Sequence, residues 1–159
     1  MRGSVLFGCG LVVGAVAMQL AGAQGNAVRG VNHVGIVVKN YAEALVFYTK
    51  TMGFHEAYTI KNDDGSVRLT YLQVSRNTFV ELIPAAPNQA TGLTHFGIEV
   101  GDLASEVAAL RQRGAKVDDP GPTPSKALFS RMQDRDGVQI EVMEFTPESL
   151  QRKAIDSWK

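Results

Sequence analysis

Two histidines and two glutamates stand out because both their types and their spacing repeat. His33 lies in Asn32-His33-Val34-Gly35-Ile36-Val37-Val38, and His95 lies in the similar stretch Thr94-His95-Phe96-Gly97-Ile98-Glu99-Val100. Glu81, in Phe79-Val80-Glu81-Leu82-Ile83, follows His33 at nearly the same interval as Glu141, in Val138-Gln139-Ile140-Glu141-Val142-Met143, follows His95. Both glutamates have apolar neighbours on either side, and a carboxylate turned into an apolar sheet face is costly unless something neutralises it. Taken singly, a strand histidine reads more simply as a hydrogen-bonded structural residue. A mid-strand glutamate reads as solvated or paired with arginine, and Arg76, Arg131 and Arg135 are available. Recurrence of the pair at nearly the same separation points instead to one shared neutraliser, a divalent metal ion held by His33, Glu81, His95 and Glu141.

The elements that must position these side chains also repeat. Val34, Ile36 and Val38 alternate, as do Phe96, Ile98 and Val100, and period-two alternation marks a half-buried strand. In each strand the histidine and glycine share the opposite face. A helix pattern follows each. Asn40 and Glu43 resemble a capping box; Ala42, Leu45, Val46, Thr49 and Met52 recur at helical spacing, and Gly53 ends the run. In the second copy Asp102 caps, Leu103, Val107 and Leu110 line one face, and Gly114 ends the helix. Strands are expected at 54–60, 67–74 and 78–83, then at 116–117, 128–133 and 138–144, with turns at Asn62-Asp63-Asp64-Gly65 and Asp136-Gly137. The Pro120-Gly121-Pro122-Thr123-Pro124 stretch reads as a loop, and Thr146-Pro147-Glu148 as the start of a short C-terminal helix.

Each half is therefore βαβββ, an α+β design. One small sheet with one helix cannot bury both faces, so the two copies should pack as a pseudo-twofold pair with the His-Gly faces turned inward. The boundaries expected are a module over 31–85, a linker over 86–93, a module over 94–145 and a helical tail over 146–159.

The segment from Met1 to Ala23 stands apart. A single charge, Arg2, precedes an apolar run from Val5 to Met18, and Ala21-Gly22-Ala23 closes it with small residues. That is the pattern of a cleaved secretory signal peptide over 1–23, with cleavage after Ala23 and a short extension over 24–30 before the domain. The run is shorter than the roughly 20 residues of a spanning helix, so no membrane association is expected after cleavage. Cleavage takes away one basic side chain, Arg2, and the single cysteine, Cys9. The exported domain must then fold without disulfides, which is feasible because a chain of roughly 150 residues buries about 68% of its unfolded surface. Over the whole chain 16 basic residues balance 16 acidic, and apolar residues make up 45%. That is the composition of a globular domain, with no cationic excess for nucleic acid.

The four residues His33, Glu81, His95 and Glu141 sit where the vicinal oxygen chelate superfamily places its metal ligands. Phe47-Tyr48-Thr49-Lys50-Thr51-Met52-Gly53-Phe54 and Asp134-Arg135-Asp136-Gly137 also resemble that superfamily, and the likeness runs from Val31 to about Phe145. The superfamily includes glyoxalase I, methylmalonyl-CoA epimerase, extradiol dioxygenases and the fosfomycin and bleomycin resistance proteins. The resemblance implies two βαβββ modules forming a cupped, partly open, barrel-like sheet around a metal, and a homodimer. The ligand set is most similar to that of bacterial glyoxalase I, since the epimerases tend to carry Gln where this chain has Glu81. Two imidazoles and two carboxylates balance a divalent ion and leave two positions of an octahedral shell open, which suits Ni, Co, Mn, Fe or Zn.

By the same resemblance, the open positions bind two neighbouring substrate oxygens and stabilise an enediolate formed by proton abstraction beside a carbonyl. Glu141 is the expected base. In bacterial glyoxalase I an Arg shortly after the first His and an Asn shortly after the first Glu help to hold glutathione. Here Val34-Gly35-Ile36-Val37 and Leu82-Ile83-Pro84-Ala85 contain neither. The implied substrate is another small dicarbonyl, hydroxycarbonyl or diol-like molecule. Strand parity puts Phe79, Ile83, Gln139 and Met143 beside the metal as pocket residues, with core packing as their plainer role. Two other readings remain open: an exported protein that binds a small molecule without turning it over, and an Fe(II) extradiol-type dioxygenase in which Glu81 is not a ligand. Glu99 reads as a surface salt-bridge partner, His55 as exposed, and Trp158 as an anchor for the tail.

Overall fold

The computed structural model describes residues 28–159; the expected leader and its cleavage site lie outside them. Eight strands form one mixed, curled half-barrel sheet in the order β2-β3-β4-β1-β5-β8-β7-β6. The first module comprises β1 (Val28–Val38), α1 (Tyr41–Val46), β2 (His55–Lys61), β3 (Val67–Ser75) and β4 (Thr78–Pro84). The second comprises β5 (Gly92–Val100), α2 (Leu103–Gln112), β6 (Gly121–Pro122), β7 (Leu128–Gln133) and β8 (Gln139–Glu144), and α3 (Leu150–Ser157) follows. Inside each module the first and last strands pair parallel, β1 with β4 and β5 with β8. The modules join where β1 runs antiparallel to β5.

The alternation of the first strands decides what covers the convex face. Val34, Ile36 and Val38 pack with Leu72, Val80 and Leu82 under Tyr41, Ala44, Leu45 and Tyr48. Val100, Leu103, Val107 and Val142 form the matching cluster in the second module, with Ile98 and Leu110 against it. The caps are as the sequence implies: Asn40 accepts from the Glu43 amide and Asp102 from the Ser105 amide. Gly53 and Gly114 follow their helices at φ 76° and 89°, a left-handed conformation that costs glycine little.

Several expectations need correction. The first helix passes into a π-helical turn over Phe47–Thr51. The face toward the sheet is Tyr41, Ala44, Leu45 and Tyr48, at ordinary helical spacing one residue off the expected set, while Val46 and Met52 are exposed. β1 begins at Val28 rather than Val31 and β5 at Gly92, because the antiparallel pairing extends back to Val28 opposite Val100. Val117 makes only an isolated bridge to Met132. The short sixth strand is Gly121–Pro122, which the sequence placed in a loop. It lies at the sheet edge against Leu128 and Phe129, where a proline's missing donor is tolerated. The C-terminal helix starts at Leu150, capped by the Ser149 hydroxyl accepting from the Arg152 amide.

The concave face is partly filled from one end by α3. Ala154 and Ile155 join Tyr71, Phe79, Ala127, Met143 and Phe145 in a third cluster. Glu99 takes part in a salt bridge, but a buried one: it is 7% exposed and accepts from Arg29 and Arg152, at 2.9 and 2.8 Å. This clamp ties the start of β1 and the helix α3 to β5. His55 is exposed, and Trp158 sets its ring edge-on to it at 5.6 Å.

Candidate metal centre in the cup

The register of the four central strands builds the site in two rows. In one, Glu81 on β4 lies beside Gly35 on β1, and Gly35 beside His95 on β5. In the other, His33 on β1 lies beside Gly97 on β5, and Gly97 beside Glu141 on β8. Each glycine thus separates a glutamate of its own module from a histidine of the other. The space a Cβ would occupy on Gly35 is filled by the His95 imidazole, and that on Gly97 by the His33 imidazole. The two glycines let the rings lie flat across the modules and meet. The Nε2 atoms of His33 and His95 are 3.2 Å apart, and Glu81 Oε2 is 2.9 Å from His95 Nε2 and 3.7 Å from His33 Nε2. Glu141 Oε2 is 3.6 Å from His33 Nε2. Within the one chain His33, Glu81 and His95 come together as a close group, with Glu141 beside His33.

The protons on the two imidazoles can be assigned from their outer partners. Nδ1 of His33 faces the carbonyl oxygen of the Asn32 side chain, so Nδ1 carries the proton and donates. Nδ1 of His95 lies 3.1 Å from the Thr94 hydroxyl, and that hydroxyl donates to the Gly35 carbonyl at 3.2 Å. The Thr94 oxygen therefore accepts from His95 Nδ1. In the neutral rings both Nε2 atoms are then left with lone pairs pointing at one another and at a carboxylate, and only a protonated ring can donate from Nε2 to Glu81 or Glu141. Such a group is repulsive unless a cation sits in its midst, and outer-shell acceptors on Nδ1 are the usual partners of metal-binding imidazoles. His33, Glu81 and His95 offer donor atoms all within 4.8 Å of one another, so the residues present fit a divalent ion.

Glu141 stands slightly apart. Its Oε1 accepts from Arg131 at 3.1 Å, which draws the carboxylate toward β7. Burial opposes its ionisation, but the hydrogen bond and charge of His33, with His95 and Arg131, outweigh this and hold its pKa down to about 2. His95 moves the other way. Burial pulls it down, yet the hydrogen bond to Glu81 and the charges of Glu141 and Glu81 leave it above the ordinary imidazole value, against a smaller opposing effect of Arg131. In the metal-free protein the same carboxylates favour a proton on His95.

Metal and proton must compete for that position. Apparent affinity for a divalent ion should therefore fall as pH drops below the raised His95 pKa, by up to about tenfold per pH unit for one displaced proton. Calorimetric titration between about pH 5 and 8 checks this, and a flat profile would contradict it. In the metal-free protein the sign of the stability effect follows from the same shift. The contribution of His95 is complete below its unfolded pKa and is lost as pH rises through the raised folded one.

The cup holds a cavity of about 530 Å³. Ile83, Gln139 and Met143 line it together with Glu81, His95 and Glu141. Phe79 does not line it, contrary to the parity argument. It lies beside His33 and opposite Gln73, at the end where α3 closes the cup, and is 2% exposed in the cluster with Ala154 and Ile155. Four participants were not singled out in the sequence. Asn32 and Thr94 set the tautomers, and the available signal was a polar residue before each histidine in both copies of the repeat. Tyr71 stands against His33 with ring centroids 5.4 Å apart. Gln151 reaches the cavity from α3, which periodicity within the modules cannot reveal.

Residues 30–142 match the profile of the Glyoxalase/Bleomycin resistance protein/Dioxygenase superfamily. The chain belongs to this superfamily. Among its relatives is the Arabidopsis thaliana protein named "Probable lactoylglutathione lyase, chloroplastic", 40% identical over 63 residues, covering 37% of this chain and only 18% of that protein. The Bacillus subtilis (strain 168) protein YwkD is 26% identical over 125 residues, covering 73% of this chain and 97% of YwkD. Among solved structures, methylmalonyl-CoA epimerase from Mycobacterium tuberculosis superposes with a TM-score of 0.68 at 22% identity, over 78% of this chain and 93% of that one. The likeness to the epimerase is one of fold, that of the superfamily's paired modules around a cup.

Proposed function

We propose that this chain is a metal-dependent lyase or isomerase of the glyoxalase I type, acting through an enediolate on a small dicarbonyl or hydroxycarbonyl substrate. One observation carries the reading: the Nε2 atoms of His33 and His95, each oriented by an outer partner on Nδ1, meet the Glu81 carboxylate in one close donor group, with Glu141 beside His33 and the cavity alongside. A divalent ion held by His33, Glu81, His95 and Glu141 would supply Lewis acidity to two neighbouring substrate oxygens. The residues supply the rest. Glu141 lines the cavity beside the donor group, where its carboxylate would accept the proton beside the carbonyl and return it to the neighbouring carbon. Arg131 holds its other oxygen and aims it. Ile83, Met143 and Phe129 give the cavity apolar walls, which strengthen each electrostatic contact inside.

Metal analysis by mass spectrometry tests the reading. The parent should carry about one divalent ion per chain, and a His33→Ala, His95→Ala double variant should carry none. The loaded parent should then exchange the carbon-bound proton of a small dicarbonyl or hydroxycarbonyl with solvent. A parent that takes up no ion from nickel, cobalt, zinc, manganese or iron would refute the enzyme reading and leave a binding protein. Oxygen uptake with a catechol would favour the dioxygenase; the place of Glu81 in the tight donor group speaks against it.

Export belongs to the same proposal and is supported by the Arg2, apolar-run and Ala21-Gly22-Ala23 pattern. A mature N-terminus at Gln24 in the exported fraction would bear it out. So does a homodimer, for which exposed Val31, Val46, Phe47 and Leu93 provide apolar surface; light scattering decides it.

A further inference from the structure

α3 brings a polar side chain into the cup that the metal centre does not use. Gln151 is 1% exposed. Its Nε2 donates to the Ser125 hydroxyl at 3.0 Å, while its Oε1 has no partner. The hydroxyl of Tyr58 is likewise buried and makes no well-formed hydrogen bond, although the Ser125 hydroxyl is near it. Gln151, Ser125 and Tyr58 all line the same cavity as Glu81, His95 and Glu141. A buried polar atom left unpaired is destabilising, and two in one cavity wall call for a common explanation.

The placement of Tyr58 is firm. Its ring stacks on Tyr71 at 4.9 Å and 14°, and Tyr71 in turn stands against His33. The Tyr58 hydroxyl is thus one ring beyond the metal ligands. Burial, with the charge of Glu81, pushes the Tyr58 phenol far above its usual value, so it stays protonated and can donate. The unpaired Gln151 oxygen can only accept. A group that satisfies both accepts one hydrogen bond and donates another, as a hydroxyl does. Two cationic side chains, Arg68 and Arg131, also line the cavity. Arg131 is bound to Glu141, and Arg68 lies near the start of β3, away from Gln73, which donates to the Ala154 carbonyl of α3. The side chain bound directly to Gln151 is the uncharged Ser125.

We propose that Gln151, Tyr58 and Ser125 form a neutral subsite that reads a hydroxyl group on the part of the substrate beyond its two metal-binding oxygens. This rests on the proposed function and deepens it. The substrate class becomes a hydroxylated, sugar-fragment-like dicarbonyl or hydroxycarbonyl, in place of a simple alkyl one. Because α3 follows the second module, the subsite depends on a segment outside the duplicated unit.

The test uses hydroxamates, which offer two neighbouring oxygens to a metal. γ-Hydroxybutyrohydroxamate is compared with its methyl-terminated isostere pentanohydroxamate, together with the homologues one carbon longer and shorter, by calorimetry on the metal-loaded full chain. The hydroxyl-terminated probe of the fitting length should bind about tenfold more tightly. Gln151→Leu and Tyr58→Phe should each remove that preference while leaving the metal content and the affinity for acetohydroxamate unchanged. Equal binding of the matched probes at every length, or a preference that survives both substitutions, would overturn the proposal and leave ordered water as the occupant. Absence of acetohydroxamate binding would instead count against the metal-dependent reading. The matched pair is then scored on metal-free protein by side-chain amide NMR shifts of Gln151, where the hydroxyl probe must still be preferred, and equal or no binding overturns the subsite.

Discussion

Gly97→Ala should abolish metal binding and destabilise the fold. The added methyl would overlap the His33 ring and press on Asn32 Oδ1 at 3.0 Å. His33 cannot retreat: it is 1% exposed, held on one side by Asn32 and on another by Tyr71. Overpacking a rigid site costs about 1–3 kcal/mol, and the loss should sit at the upper end. The ring must also leave the position in which its Nε2 faces His95, so the metal site should lose a ligand outright. Gly35→Ala supplies the contrast. There the methyl meets the His95 ring, which is only partly buried and lies at the cavity wall. That ring can swing into the cavity, so metal binding should be lost with a smaller loss of stability. Denaturant unfolding beside metal titration reads both quantities. If Gly97→Ala bound metal as the parent does, the proposed geometry would be wrong.

Glu141→Gln should remove turnover almost completely while changing the fold little. The amide keeps the shape and one oxygen but cannot take a proton, and loss of a positioned general base costs on the order of 10²–10⁴ in rate. Metal affinity should also fall, though less, because His33, Glu81 and His95 keep their close donor group. Glu81→Gln should reverse that ranking. Glu81 is the carboxylate nearest His95, at 2.9 Å, so its loss should weaken metal binding more than it slows proton transfer in metal-saturated protein. Solvent deuterium exchange at the substrate carbon, measured at saturating metal, separates the two. Equal exchange rates for Glu141→Gln and the parent would remove Glu141 from the role of base.

The sequence was sufficient for the four convergent residues because the chain states them twice. A single His-x-Gly strand or a single buried glutamate is ambiguous. Two copies at matched spacing are consistent only with equivalent positions in equivalent modules. The same alternation that put Val34 and Ile36 under α1 put His33 and Gly35 on the opposite face, so strand, helix and the face carrying the candidate ligands were legible together. Parity also placed Ile83, Gln139 and Met143 along the cavity. It failed at Phe79, because parity gives the face of a strand and not the position along the cup. Phe79 is on the right face, at the end that α3 covers.

Only the tertiary structure decided what depends on contacts between modules. The need for glycine at 35 and 97 comes from rings on the neighbouring strand, which no local pattern contains. The tautomers of His33 and His95 rest on Asn32 and Thr94, which strict alternation would send to the other face; the register shift between Val31 and His33 interrupts that alternation on β1. The pull of Arg131 on Glu141 arises from the β7–β8 pairing. The π-helical turn after α1 and the edge strand at Gly121–Pro122 were set by packing and pairing that outweighed local propensity. The entry of Gln151 into the cup depends on where α3 docks. Short-range periodicity records which way a side chain points relative to its own backbone. Which partner it then meets is fixed by the packing of one module against the other, and that is where the chemistry of this cup is set.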